Sequence, residues 1–202
     1  MRNYLTAVIS LLLMAAVSAC NDDDDVPYPS IVTHFANVKA DDNGELSQLI
    51  LDDGTAYTIT NILSGYTKGH TYRGVCGYTI DDTIAKRITL YQAEPVHVLA
   101  DSTTAPKADP TSVSSVWATQ KYINLQLQPK TQSRKQYWGY ITDSITSHCA
   151  YLTLYHNQNS DPMAYSTTVY ASLPLDSIAA DSIHLRINTF SGVRTWKLKR
   201  KG

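Results

Sequence analysis

Pairs of neighbouring aspartates are the first residues in this sequence that could do acid–base chemistry or bind calcium. They occur at Asp41–Asp42, Asp52–Asp53 and Asp81–Asp82, and paired carboxylates serve both chemistries. Each pair, however, is close to a glycine or a threonine at a point where an extended chain must reverse. Because aspartate and glycine favour tight turns, we interpret the pairs as turn residues.

The segment His156–Pro162 has oxygen-bearing side chains at alternate positions, as at the start of a calcium loop. It lacks the sixth-position glycine and the later glutamate of such loops, so we interpret it as a capped loop between strands. The 6 histidines show no metal-ligand spacing, and neither Cys76 nor Cys149 lies in a pattern that marks a nucleophile. The sequence therefore predicts no catalytic residue, no metal site and no cofactor.

An aromatic cluster at Tyr137, Trp138 and Tyr140 is a candidate for ligand contact. Aromatic rings this close together can form a stacking surface for a sugar ring or for a partner's side chain. In a strand, Trp138 and Tyr140 would share one face and Tyr137 would take the other. Ligand contact and core packing therefore both remain open for this cluster.

Cys20 has the clearest chemical assignment in the chain. The residues Leu5–Val17 are nearly all apolar, a run too short to span a membrane and typical of a signal peptide. The run ends in Val17-Ser18-Ala19-Cys20, which resembles the lipobox of bacterial lipoproteins, where the cysteine receives diacylglycerol. We predict a signal peptide over 1–19 and lipidation of Cys20. The alternatives are an ordinary signal peptide and an uncleaved anchor helix.

Four adjacent carboxylates, Asp22, Asp23, Asp24 and Asp25, follow the cysteine. Because like charges this close repel one another, we predict a solvated tether over 20–29. The run also resembles the acidic export signal that places some lipoproteins on the outer face of the outer membrane. We therefore expect a protein anchored by lipid to the outer membrane and facing the exterior; the alternative is a plain spacer.

Charge and composition limit the partners and the fold class. The 202 residues carry a formal net charge of −1, whereas a nucleic-acid partner requires a basic surface, so we expect none. The 14 tyrosines and the abundant threonine favour strands over helices. With only 3 cysteines, the fold depends on its hydrophobic core, and we expect Cys76 and Cys149 to be buried and unbridged.

Short alternating runs divided by turn residues predict an all-β chain. We predict an N-terminal OB-like β-barrel over 30–100, a linker over 101–112 and a C-terminal β-sandwich over 113–202. At least one of the three tryptophans should lie in the sandwich core. The predicted barrel strands are Ile31–Val38, Leu46–Leu51, Thr55–Thr60, Tyr72–Ile80, Ile84–Tyr91 and Val96–Ala100. The predicted sandwich strands are Val113–Thr119, Tyr122–Gln128, Tyr137–Ile141, Cys149–His156, Thr167–Leu173, Ser182–Thr189 and Val193–Lys199.

Several short motifs follow one another along the chain: the lipobox with its acidic run, Leu51–Thr55, Lys121–Leu125, Tyr151–Asn157 and Ile187–Gly192. Their order resembles the NigD-like lipoprotein family. The resemblance implies an OB-like domain followed by a β-sandwich. It also implies a loose association with bacteriocin gene clusters, from which an immunity role was proposed. It brings no catalytic residues.

The function that we expect from these observations is a non-enzymatic lipoprotein of the cell envelope. It would bind or shield a glycan, a peptide toxin or a neighbouring outer-membrane protein. An accessory structural subunit of an outer-membrane complex is the first alternative, and an unrecognised hydrolase is the least favoured.

Overall fold

The computed structural model describes residues 30–102 and 107–201, and the regular elements in these ranges are all β-strands. The predicted signal peptide, Cys20 and the acidic run Asp22–Asp25 lie outside the described residues. In the two ranges, no helix is long and apolar enough to cross a membrane. The all-β fold class is confirmed.

The N-terminal part is a closed five-stranded barrel with neighbouring strands in the order β1-β2-β3-β5-β4. Its β3–β5 pair is parallel, and β4 pairs back onto β1. Alternate residues fill the interior with apolar side chains, among them Ala36, Val38, Leu49, Cys76, Tyr78, Ile88 and Leu90. The OB-like barrel is therefore confirmed. Its strands are β1 (Val32–Ala40), β2 (Leu46–Leu51), β3 (Ala56–Ile59), β4 (Thr71–Asp82) and β5 (Arg87–Pro95).

Two glycines close turns in the barrel, as the sequence predicts. Gly54 has φ +88° in the β2–β3 hairpin, a conformation that side chains disfavour. Gly44 has φ +82°, and a Cβ there would lie 2.6 Å from the backbone oxygen of Tyr66. Both positions require glycine.

The predicted start of the fifth strand at Ile84 is wrong. The Asp82 carboxylate accepts hydrogen bonds from the backbone amides of Ile84 and Ala85, both at 2.8 Å. This side-chain turn extends the reversal, with Lys86 at φ +50°, so that β5 begins at Arg87. Ile84 is left at the tip of the hairpin, 95% exposed.

Two four-stranded sheets make up the C-terminal part, with a small two-stranded sheet formed by β9 and β12. One has the order β10-β11-β14-β15 and the other the order β6-β13-β8-β7. The strands are β6 (His97–Val98), β7 (Ser112–Ala118), β8 (Tyr122–Gln128), β9 (Lys130–Thr131), β10 (Tyr137–Ile145), β11 (Cys149–Asn157), β12 (Tyr165–Ser166), β13 (Val169–Pro174), β14 (Ser182–Thr189) and β15 (Gly192–Lys199).

One hydrophobic core fills the space between these sheets, with Leu125, Leu152 and Leu185 completely buried. This arrangement confirms the β-sandwich. All three tryptophans are half-buried rather than in the core. Trp138 and Trp196 pack against the core, whereas Trp117 lies on the opposite face of its sheet.

The segment that joins the two parts bonds to the sandwich. The strand predicted at Val96–Ala100 is found at His97–Val98, where it pairs with β13 of the sandwich instead of closing the barrel. Further on, the Asp109 backbone amide donates to the His156 carbonyl oxygen, and the Thr111 backbone amide donates to the Asn188 carbonyl oxygen. The sequence also predicts that a fragment beginning near Val113 folds independently, and this stays a prediction.

Candidate ligand-binding cleft

The barrel and the sandwich belong to one compact unit that begins at Ile31. Because side chains alternate along a strand, those that do not enter a core point outward. On β8, Ile123, Leu125 and Leu127 are buried in the sandwich core, whereas Asn124 on the opposite face bonds to residues of the barrel. The barrel therefore covers part of the sheet's outer face.

A buried polar network joins the two parts at this contact. The Arg73 guanidinium donates to both Asp52 oxygens, at 2.5 and 2.9 Å, in a paired arrangement. It also donates to Asn124 Oδ1 at 2.9 Å and to Ser172 Oγ at 3.2 Å. Asn124 donates in turn to Asp52 at 2.8 Å. Because every member has partners, the charges are compensated despite their burial.

Asp52 lies in the turn between β2 and β3, as the sequence predicts, and the network gives its side chain a further role. Its neighbour Asp53 stabilises the turn through its side chain, which accepts a hydrogen bond from the Thr55 amide at 2.8 Å. Asp52 is only 9% exposed and forms the ion pair with Arg73. The sequence carries no local signal of this role, since Arg73 is separated from Asp52 by a complete strand.

An aromatic cluster on the same contact surface consists of Phe35, Trp117 and Tyr170. Phe35 meets the Trp117 ring edge-to-face at 5.1 Å and the Tyr170 ring at 5.7 Å, geometries that aromatic pairs favour. All three side chains are half-buried. Each occupies an outward position beside inward-facing core residues. The sequence signal for these three residues is a large aromatic side chain on the strand face that the alternation predicts to be polar.

A cleft of about 730 Å³ opens over this aromatic cluster, between the barrel and the sandwich. The barrel contributes Thr33, His34, Phe35, Leu51, Asp52, Asp53 and Val75, the sandwich contributes Trp117, Thr119, Gln120, Gln126 and Tyr170, and Lys201 completes the lining. This volume lies within the range of roughly 300–1,000 Å³ typical of small-ligand sites. Its aromatic floor and scattered polar groups are features that ligand pockets share.

The charges around the cleft nearly balance. Asp52 is paired with Arg73, and the other ionisable side chains of the lining are the oppositely charged Asp53 and Lys201 and the exposed His34. The backbone hydrogen bond from Thr55 lowers the pKa of Asp53. The cleft therefore presents no strong field of either sign.

The aromatic cluster predicted from sequence lies elsewhere in the sandwich. Tyr140 is buried in the core, and Trp138 stacks on the His156 ring at 3.8 Å with an interplanar angle of 7°. Tyr137 is 43% exposed, with the Lys135 ammonium 5.2 Å from its ring centre. The structure thus separates Tyr137 from its neighbours, and a ligand contact there stays a prediction.

The buried histidine behind Trp138 is held at both ring nitrogens. His156 Nδ1 lies 2.9 Å from the Asp109 carbonyl oxygen, and Nε2 lies 2.9 Å from Gln136 Oε1. Burial lowers the pKa of His156, although its contacts with Asp109 act in the opposite direction. These contacts give His156 a structural role.

The calcium-like segment is a capped loop, as the sequence predicts. Asp161 accepts hydrogen bonds from the Thr131 hydroxyl, the Gln132 amide and the Gln136 side chain, at 2.5, 2.9 and 2.8 Å. In the part of the chain that the structure describes, no group of three or more histidine, cysteine, aspartate or glutamate residues could hold a metal.

The two thiols of the folded part are free and lie in different environments. Cys76 is completely buried in the barrel core, and burial raises its pKa to about 12 despite the nearby charge of Arg73. Cys149 is only half-buried at the start of β11. The prediction of a buried thiol is therefore confirmed for Cys76 and wrong for Cys149.

Comparisons with known proteins identify the sandwich at the level of sequence. Residues 94–200, more than half of the chain, match the family model of the NigD-like C-terminal beta sandwich domain. No curated protein matches the sequence.

Solved structures share the fold over most of the chain. A NigD-like immunity protein from Bacteroides caccae has 23% identity and a TM-score of 0.65, covering 84% of this chain and 92% of its own. A Bacteroides vulgatus protein of unknown function has 16% identity and a TM-score of 0.69, covering 86% and 92%. A candidate lipoprotein from Bacteroides fragilis has 12% identity and a TM-score of 0.62, covering 84% and 99%. At these identities the likeness shows the fold alone.

Proposed function

The chain belongs to the NigD-like family, and on that premise we propose that it is a non-enzymatic binding module of the cell envelope. The observation that carries the proposal is the cleft over Phe35, Trp117 and Tyr170. A half-exposed aromatic floor beside a rigid polar network is suited to holding a ligand.

The carboxylates of the cleft are not suited to act as general acids in a hydrolysis. An enzyme that uses a carboxyl group as general acid raises its pKa so that the group stays protonated. The pKa of Asp53 is lowered instead, and Asp52 is occupied by Arg73 and Asn124. Both are held in structural contacts.

The envelope location is supported by the N-terminal sequence. The lipobox ending at Cys20 and the acidic run Asp22–Asp25 favour lipid attachment and display on the outer face of the outer membrane. The description of the B. fragilis relative as a candidate lipoprotein agrees with this location. The name of the B. caccae relative, an immunity protein, makes shielding against a toxin one use of the binding site to test.

A retention experiment tests the proposal. The full-length protein, immobilised in detergent, is exposed separately to the polysaccharide and protein fractions of the cell envelope. We expect one fraction to be retained and Trp117→Ala to abolish the retention, because that change removes the aromatic floor. Tyr91→Ala is the matched control, an exposed aromatic outside the cleft lining, and Tyr137→Ala tests the ligand contact predicted from sequence.

The pattern of retention decides between the functions. Equal retention by wild type and Trp117→Ala contradicts a binding role for the cleft. If only Tyr137→Ala loses the retention, the ligand binds at the aromatic cluster predicted from sequence, around Tyr137, and not in the cleft. A stoichiometric outer-membrane complex that persists in every variant would favour the accessory subunit.

A further inference from the structure

We infer that the ligand of the cleft is a short neutral glycan, held against Trp117 and Tyr170 and hydrogen bonded by Gln126. This inference deepens the proposed function and rests on it. Three properties of the cleft carry it: the placement of its aromatic and amide groups, its balance of charge, and its backbone hydrogen bonding.

The pairing of three adjacent strands places an amide between two aromatic rings. Gln126 on β8 lies directly opposite Tyr170 on β13. On the other side, Trp117 on β7 pairs with Asn124, two residues before Gln126, and is therefore its diagonal neighbour. A sugar ring has an apolar C–H face and a rim of hydroxyls, and this arrangement offers partners for both.

The Gln126 amide makes no hydrogen bond to the described part of the chain, although the residue is half-buried. Gln120 at the rim is likewise without a side-chain partner in residues 30–102 and 107–201. The polar atoms of the Gln126 side chain remain accessible to water, so a ligand can replace that water with its own donors and acceptors. Hydroxyl groups can both donate to the amide oxygen and accept from its nitrogen.

The charge around the cleft favours a neutral glycan over an ionic one. Asp53 and Lys201 have opposite charges, and the Asp52 carboxylate is neutralised by Arg73. A strongly acidic or basic ligand would require complementary charges, and the lining does not supply them.

The strands beneath Gln126 and Tyr170 disfavour an extended peptide. Peptides commonly bind by adding a strand to a free sheet edge. β8 lies between β13 and β7, and β13 lies between β6 and β8, so both are interior strands, whereas β7, which carries Trp117, is at the edge of the sheet. A peptide lying over β8 and β13 would find backbone groups that are already paired.

NMR signals of the tryptophan indole groups test this inference directly, with the full chain in detergent micelles. The chain contains 3 tryptophans, so ¹⁵N-tryptophan labelling gives three N–H signals, assigned by single Trp→Phe variants. The probes are short oligosaccharides of glucose, mannose, galactose and xylose at millimolar concentration, with a sialylated oligosaccharide as an acidic comparison. We expect at least one neutral probe to shift the Trp117 signal and to leave those of Trp138 and Trp196 in place.

Two glutamine variants then test whether the Gln126 amide contributes to binding. Gln126→Leu should weaken binding by about tenfold, as expected for the loss of one or two hydrogen bonds. Gln128→Leu, an exposed glutamine on the same strand and outside the cleft lining, should leave the affinity unchanged. Thermal melting of both variants verifies that they are folded.

The outcomes separate this inference from the proposed function. If no neutral oligosaccharide shifts the Trp117 signal, or if Gln126→Leu binds as wild type, the neutral-glycan inference is wrong. The binding function would still stand if the envelope protein fraction is retained through Trp117, which would identify a protein or peptide ligand. If Trp117→Ala changes neither assay, both the inference and the proposed function fail.

Discussion

Asp161 shows how one carboxylate can organise a loop. Burial of the group acts to raise its pKa, but hydrogen bonds from Thr131, Gln132, Gln136 and Arg134 outweigh that effect and lower the pKa from 3.8 to about 2. These bonds fix the segment after β11 against β9 and the residues before β10. The loop therefore depends on the ionised form of Asp161.

The substitution Asp161→Asn should reduce stability in a pH-dependent way. Because the folded pKa is lower than the ordinary value, the ionised carboxylate stabilises the fold above about pH 4. That contribution disappears as pH falls through about 2. Melting temperatures of wild type and variant should therefore differ at pH 7 and converge towards pH 2.

The exposed Asp176 is the control for that experiment, since its side chain has no hydrogen-bond partner in the described residues. Asp176→Asn should melt like wild type across the same range. A difference between wild type and Asp161→Asn that stays constant with pH would refute the role of the charge.

At the scale of elements, a buried polar network joins the barrel to the sandwich. Arg73 on β4 bonds Asp52 after β2, Asn124 on β8 and Ser172 on β13. The Arg73 guanidinium carbon also lies 3.9 Å from the centre of the Tyr122 ring, a favourable cation–π distance. Such a network fixes the relative orientation of the strands that line the cleft.

Removal of the guanidinium should be strongly destabilising. Arg73→Met leaves the Asp52 carboxylate buried without its counter-charge, a change that typically costs about 3–5 kcal/mol. The double substitution Arg73→Met/Asp52→Leu should recover part of that loss, because no unpaired charge then remains. Urea unfolding of the three proteins measures the free energy of unfolding.

Arg87→Met is the matched control, since Arg87 is exposed on β5, and we expect it to change stability by no more than about 0.5 kcal/mol. If Arg73→Met unfolds at the same urea concentration as wild type, the network does not stabilise the contact. A double variant that is less stable than Arg73→Met would refute the unpaired-charge explanation.

At the scale of the whole molecule, charge is concentrated in the N-terminal segment. The overall formal charge is −1, yet Asp22–Asp25 places four carboxylates together directly after Cys20. Lipid attachment at Cys20 would anchor the protein durably, since each buried methylene contributes about 0.8 kcal/mol. The anchor alone does not select a face of the membrane.

Replacement of Asp22–Asp25 by four alanines should change the display of the protein and leave its lipidation intact. If negative charge next to the lipid is the export signal, protease added to whole cells should digest wild type and spare the variant. Replacement by four glutamates preserves the charge and should restore digestion. Equal digestion of wild type and the alanine variant would show that the acidic run is a spacer and not an export signal.

Sequence alone predicted the long strands, although it missed the short strands β9 and β12 and the start of β5. On β8 the alternation of apolar and polar residues predicts that Ile123, Leu125 and Leu127 face inward, and all three are completely buried. It also predicted the hairpin at Gly54, because Asp-Gly between alternating runs has a local conformational cause. The NigD-like resemblance is likewise confirmed by the family match.

Tertiary structure alone decided what covers the outward faces. The alternation on β8 predicts that Asn124 faces outward, and it does, but it is completely buried because the barrel lies against it. Likewise, Asp52 meets Arg73, and Phe35 meets Trp117. The physical reason is that the two-residue period of a strand specifies the direction of each side chain. The partner across the contact comes from distant parts of the chain, and only their packing determines it.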